Sequence, residues 1–197
     1  MARTVFFSFH YQRDVFRVQQ VMNHHVTKGS YTNAGFFDGS LEEKAKKDGD
    51  QAVKNMIDKG MVGSSVLCVL IGNETWSRRW VLYEILKAVE NGMGIFGIRI
   101  HQVKDPKTGA DTAGGSPFYA LGYGDRQGNI QPMINYKEGG WKNAPMLGEI
   151  SRKAALYLPT ADSFALDGKF AIYDWVDNDG YNNFGKWVEA AARQAGR

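Results

Sequence analysis

Cysteine is nearly absent from this chain. Cys68 is the single one among 197 residues, so no disulfide can form within the chain, which fits a reducing compartment. Its neighbours Leu67 and Val69 are apolar and would raise the thiol pKa, so Cys68 reads as a core residue rather than a nucleophile. Long apolar runs are also missing: no window approaches the roughly 18 residues that a membrane-spanning helix needs. The opening MARTVFFSFHY lacks the apolar stretch and small-residue cleavage site of a secretory leader, and a cytoplasmic protein is expected. Charge of one sign is not in excess. The net value of +3, with acids and bases mixed, gives no argument for nucleic acid, though it would not repel an anionic small molecule. The four histidines and one cysteine show no zinc-like spacing. His24 and His25 are adjacent, so on a helix they point about 100° apart and cannot easily share a metal. No metal and no bound cofactor are expected. The segment GNETWS is not a glycine-rich phosphate loop, and there is no repeat or heptad.

What is present is an alternation of strands and helices. Residues 4–9, TVFFSF, are β-branched and aromatic and predict a first strand. Asp14 is a candidate cap for the helix that follows, with Val15, Val18, Val21 and Met22 at helical spacing and Gly29 at its end. GFFD at 35–38 predicts a short second strand, 39–49 a loop, and Asp48 or Asp50 the start of a second helix ending at Gly60. SVLCVLI at 65–71 is a continuous apolar run, the pattern of a strand buried on both faces. Ser77 is a candidate N-cap for a third helix, which ends at Asn91-Gly92. GIFGIRI at 94–100 predicts a fourth strand. A parallel sheet with helices on both faces follows from this order. Beyond His101 the pattern weakens. Residues 102–117 read as a long loop and 118–159 hold only short apolar runs. A strand at 170–176 and a last helix capped by Asp179 complete the chain. The expectation is one domain over 1–197, with an extended, less regular segment at about 103–165.

In an open parallel sheet, ligands bind outside the carboxyl ends of the strands. Those ends supply Ser8, Phe9, His10 and Tyr11 after the first strand, Asp38 after the second, Asn73 to Trp76 after the third and His101 after the fourth. Trp80 and Glu84 begin the third helix, and their spacing makes them neighbours on one face. A tryptophan could stack on a planar ring while the carboxylate reaches an attached sugar. That pairing suits cleavage of an N-glycosidic bond, which develops positive charge on the sugar. The same spacing also fits a core tryptophan beside a solvated glutamate.

Three segments carry a resemblance to a known family. TVFFSFHYQRD resembles the first box of TIR domains, GFFD their second strand, and VLIGNETWSRRWVLYEI their third strand and helix. More narrowly, HYQRDVFRVQQVMNHHVTKG, GIFGIRIH and YDWVDNDGYNNFGKWV are similar to the TIR-like subgroup of the bacterial Thoeris anti-phage system. The resemblance implies a flavodoxin-like, three-layer α/β fold around a mostly parallel sheet. It implies that NAD is the substrate, that nicotinamide is released, and that a cyclic ADP-ribose-type messenger activates a separate effector. A phage-derived trigger and self-assembly through TIR–TIR contacts belong to the same expectation. It puts Glu84 in the catalytic position, with Phe7, Ser8, Phe9, His10, Asp38 and Trp80 as substrate-binding residues; Trp76 joins them from its place after the third strand. Any phosphate contact after the first strand falls to His10 or Arg13. The alternatives are a non-catalytic TIR adaptor, a receiver-like phosphorelay domain and a nucleoside transferase. The receiver reading needs an acidic pair after the first strand, where this chain has Ser8-Phe9-His10.

Overall fold

A computed structural model of the chain describes residues 3–28, 31–34, 47–126, 128–136, 140–144, 147–155, 157–159 and 163–197; at 24–28, 31–34, 126 and 136 it describes the backbone alone. The main sheet is built from β1 (Arg3–Ser8), β2 (Tyr31–Ala34), β3 (Val66–Ile71), β4 (Gly94–Arg99) and a late strand, β10 (Ile172–Asp174). Every pairing in it is parallel. The spatial order is β2-β1-β3-β4-β10, the flavodoxin-like order, with β10 as fifth strand. Among the described residues, four α-helices accompany it: α1 (Tyr11–Lys28), α2 (Asp50–Met61), α3 (Arg79–Glu90) and α4 (Gly180–Gln194).

Strand alternation divides the core into two layers. Val5 and Phe7 of β1, with Val66, Cys68 and Leu70 of β3, pack against α1 and α4. Phe6 of β1, with Leu67, Val69 and Ile71 of β3, packs against α2 and α3. All six residues of β3 are buried, as its unbroken apolar run predicts. Cys68 is a buried core thiol whose pKa burial pushes up.

The segment after β4 holds more structure than its sequence suggests. Residues 101–116 are turns with one isolated bridge, Asp105 to Gly109. Beyond them lies a second, antiparallel sheet: β5 (Leu121–Arg126), β6 (Asn129–Tyr136), β7 (Gly140–Asn143), β8 (Ile150–Ser151) and β9 (Ser163–Ala165). Its Leu121, Tyr123, Ile130 and Ile150 join the core cluster that contains α3.

Several local expectations are corrected. Asp14 does not cap α1. The helix begins at Tyr11 and Asp14 lies buried in its first turn. Ser77 does not cap α3. It closes a short 3₁₀ turn over Thr75–Ser77, and Arg78 stands at the N-cap without a side-chain cap bond. Residues 47–48 are helical rather than loop. The 35–38 strand and Asp38 lie outside the described residues, while β2 occupies Tyr31–Ala34. Asp179 does hold the N-cap position of α4, but its carboxylate accepts from the Asn182 side chain rather than from the helix backbone.

Candidate active site

The sheet order reverses between β1 and β3, the place where open α/β sheets usually bind ligands. Ser8 ends β1 and lies on the α3 side of the sheet, because it alternates with Phe7. Glu84 sits one turn and a half into α3. The Ser8 hydroxyl donates a hydrogen bond to Glu84 Oε2. Both residues are buried, Ser8 at 0% and Glu84 at 3% exposure. Burial raises the Glu84 pKa to about 8, and the Ser8 hydrogen bond opposes that rise. Burial therefore favours the protonated form of Glu84 at neutral pH.

The other predicted residues divide clearly. His10 follows β1 at the same edge and is half-buried, with Nδ1 buried and without a hydrogen-bond partner. Its pKa is lowered, first by burial and then by the charge of Arg78. Trp80 is 3% exposed, meets Tyr83 edge-on at 6.1 Å, and carries the Arg79 guanidinium 4.6 Å above its ring. Its ring is buried and covered, not an open stacking platform. Trp76 is half-buried in the turn after β3 and packs beside Gly115. Phe7 and Phe9 are not brought to Glu84. Phe7 stacks on Phe184 of α4 at 6.0 Å, and Phe9 packs in the same layer. Phe6, on the Ser8 face, was not among the predicted residues, although strict alternation from Ser8 could have found it.

A strap of residues 109–116 lies across this edge. Arg13 donates to both Asp111 oxygens, at 2.8 and 3.0 Å, and to Glu74 at 3.0 Å. Those bonds hold the Asp111 carboxyl down at about 2. Asn73 Nδ2 donates to Thr112 Oγ1 at 2.6 Å, and Arg99 to the Gly114 carbonyl at 2.8 Å. A Cβ on Gly114 would fall 2.2 Å from the Gly72 carbonyl oxygen, so only glycine lets the strap seat on the turn after β3. Gly72 is equally constrained: its missing Cβ leaves room for the Asp14 carboxylate, 2.1 Å from where that atom would sit. Asp14 is fully buried, its oxygens lack hydrogen-bond partners, and Arg17 Nη1 lies 3.7 Å away. Burial raises its pKa to about 6, against the pull of Arg17. Among the described residues there is no group of three or more His, Cys, Asp or Glu able to hold a metal, and no helix long and apolar enough to cross a membrane.

The parallel order, the helices on both faces and a buried carboxyl at the switch point define a flavodoxin-like α/β protein of TIR type. The family described as "Thoeris protein ThsB, TIR-like domain" matches residues 6–105. A curated protein of Bacillus cereus (strain MSX-D12), named "Putative cyclic ADP-D-ribose synthase ThsB1", is 43% identical over 192 residues, covering 95% of this chain and 100% of the relative. The chain belongs to the Thoeris ThsB TIR-like family.

Proposed function

We propose that this chain cleaves NAD, releases nicotinamide and joins the ADP-ribose ends into a cyclic messenger for a separate effector in anti-phage defence. The observation that carries the reading is the buried Glu84 carboxyl, held by Ser8 at the switch point of a ThsB-family TIR fold. The name of the Bacillus cereus relative supports the cyclase over a simple hydrolase.

The chemistry follows from charge. The bond between ribose C1′ and the pyridinium nitrogen breaks, and its electron pair leaves on nitrogen as neutral nicotinamide. Ionised Glu84 stabilises the cation left on the ribose. A nucleophilic group of the adenosine end then attacks C1′ and its proton passes to solvent. No acid is needed for the leaving group, so one carboxyl suffices where an ordinary glycosidase uses two. The buried walls around Ser8 and Trp80 exclude water that would otherwise capture the cation. The pyridinium charge of NAD also favours ionisation of Glu84 on binding.

The second reading is a TIR adaptor without turnover. Its support is the near-complete burial of Ser8 and Glu84, which is also what a structural core pair would show. Incubation with NAD, with and without lysate from phage-infected cells as trigger, separates the two. The enzyme reading expects nicotinamide and a cyclic ADP-ribose-type product from the wild-type chain and neither from Glu84→Gln. Assemblies without any NAD turnover under either condition would favour the adaptor.

A further inference from the structure

The arginines at the carboxyl edge of the sheet are not equivalent. Arg13 spends its donors on Asp111 and Glu74. Arg17 is buried and donates to the carbonyls of Arg13, Val103 and Gly109 and to Thr108 Oγ1. Arg79 binds Asp50 and covers the Trp80 ring. Arg99 holds the Gly114 carbonyl. Arg78 differs. One of its terminal nitrogens pairs with Glu74, yet its Nε–H is buried without an acceptor. Close by, His10 keeps its own buried Nδ1 unpartnered, and the charge of Arg78 helps hold that ring neutral.

A buried guanidinium N–H without an acceptor is uncommon, because leaving a charged donor unpaired is unfavourable. Arg78 is also the N-cap of α3 and offers no side-chain cap. The first-turn amides behind it therefore carry the positive end of the helix dipole. Arg78 and Glu84 are six positions apart, which is about 9 Å along the helix axis. One ribose with its 5′ phosphate can bridge that gap between two long side chains.

We propose that Arg78 is a substrate-binding residue that grips the diphosphate of the dinucleotide, taking the place predicted for Arg13 and His10. This assignment rests on the NAD reading above. Diphosphate oxygens supply the acceptor that Nε–H lacks. Glu74, half-exposed and already shared with Arg13, is the counter-ion that a bound phosphate displaces. Neutral His10 lines the subsite without contributing a charge.

The test measures binding in a Glu84→Gln chain, so that ligand is not consumed. NAD, ADP-ribose and nicotinamide riboside, which lacks phosphate, are titrated by calorimetry with and without Arg78→Ala. NAD and ADP-ribose are expected to weaken by about 10- to 100-fold, the usual loss for a charged hydrogen-bond partner. The riboside affinity is expected to stay unchanged, and Arg78→Lys to recover part of the loss. Melting curves monitor folding, and if the alanine variant is unstable, Arg78→Gln and Arg78→Lys carry the comparison. Unchanged NAD affinity without Arg78 would overturn the assignment, as would an equal loss for the riboside. If the Glu84→Gln chain binds neither NAD nor ADP-ribose, and the wild-type chain cleaves no NAD, the NAD reading itself fails and this assignment with it.

Discussion

Ser8 and Glu84 are 76 positions apart in the chain and share one buried hydrogen bond. The bond joins the end of β1 to the middle of the third helix across the point where the sheet reverses its order. It sets the orientation of the one carboxyl on which the proposed chemistry depends.

Glu84 should destabilise the fold as pH rises. Its folded pKa of about 8 lies above its ordinary value of 4.5. Between those values the folded chain keeps a proton that the unfolded chain releases, so stability falls with pH at about 1.4 kcal/mol per unit. Glu84→Gln keeps an acceptor for Ser8 and removes the titration. The variant is expected to be more stable than the wild-type chain by a few kcal/mol at pH 8, with the advantage gone near pH 4. Denaturant unfolding of both chains across that range checks it. An equal difference at every pH would show that Glu84 does not titrate as a buried group.

Ser8→Ala removes the hydrogen bond that favours the ionised form. The Glu84 pKa is then expected to rise further, moving the acid limb of the rate profile to higher pH. Loss of a hydrogen bond to a charged group predicts a fall in kcat/KM of about 10- to 100-fold near neutrality. The diagnostic is partial recovery at high pH. A loss independent of pH would mean that Ser8 acts by some other route.

Gly114→Ala tests the strap. The new Cβ would meet backbone oxygens of Gly72 and Asn73 at 2.2 and 2.4 Å, contacts that cannot yield by a side-chain rotation. Overpacking of this kind costs about 1–3 kcal/mol. The displaced turn carries Trp76 and Arg78, so NAD turnover should fall with stability. Gly148→Ala, where a Cβ meets nothing within 4 Å, is the neutral control. A silent Gly114→Ala would show that the strap does not bear on the site.

How much of this was legible depends on the residues concerned. VLCVLI could be read as a doubly buried strand because all six side chains are apolar. The third helix was legible from its repeating apolar face and its Asn91-Gly92 end. The second sheet was not, because its strands lack alternation: LGYGDR is rich in glycine, NIQPMINY contains Pro132, and GWKN is exposed throughout. Ser77 looked like a cap because local residue type cannot reveal a preceding 3₁₀ turn. That turn is fixed by Thr75, whose Oγ1 accepts from Gly72 N at 3.0 Å. The spacing to Trp80 and the family resemblance both point to Glu84. Its partner Ser8 was expected to touch substrate, and the hydrogen bond between the two needed the fold. Phe7 lies in the layer opposite Ser8 because neighbours on a strand point to opposite sides.

The central claim is that Glu84 drives cleavage of NAD, and its most direct measurement is kcat/KM for nicotinamide release against pH, for the wild-type chain and Glu84→Gln. With a free-enzyme pKa of about 8, the wild-type value should climb about tenfold per pH unit below that point and level off above it. Glu84→Gln should show no turnover at any pH. Retained nicotinamide release in the variant, or a wild-type profile flat from pH 6 to about 9 against this expectation, would contradict the account.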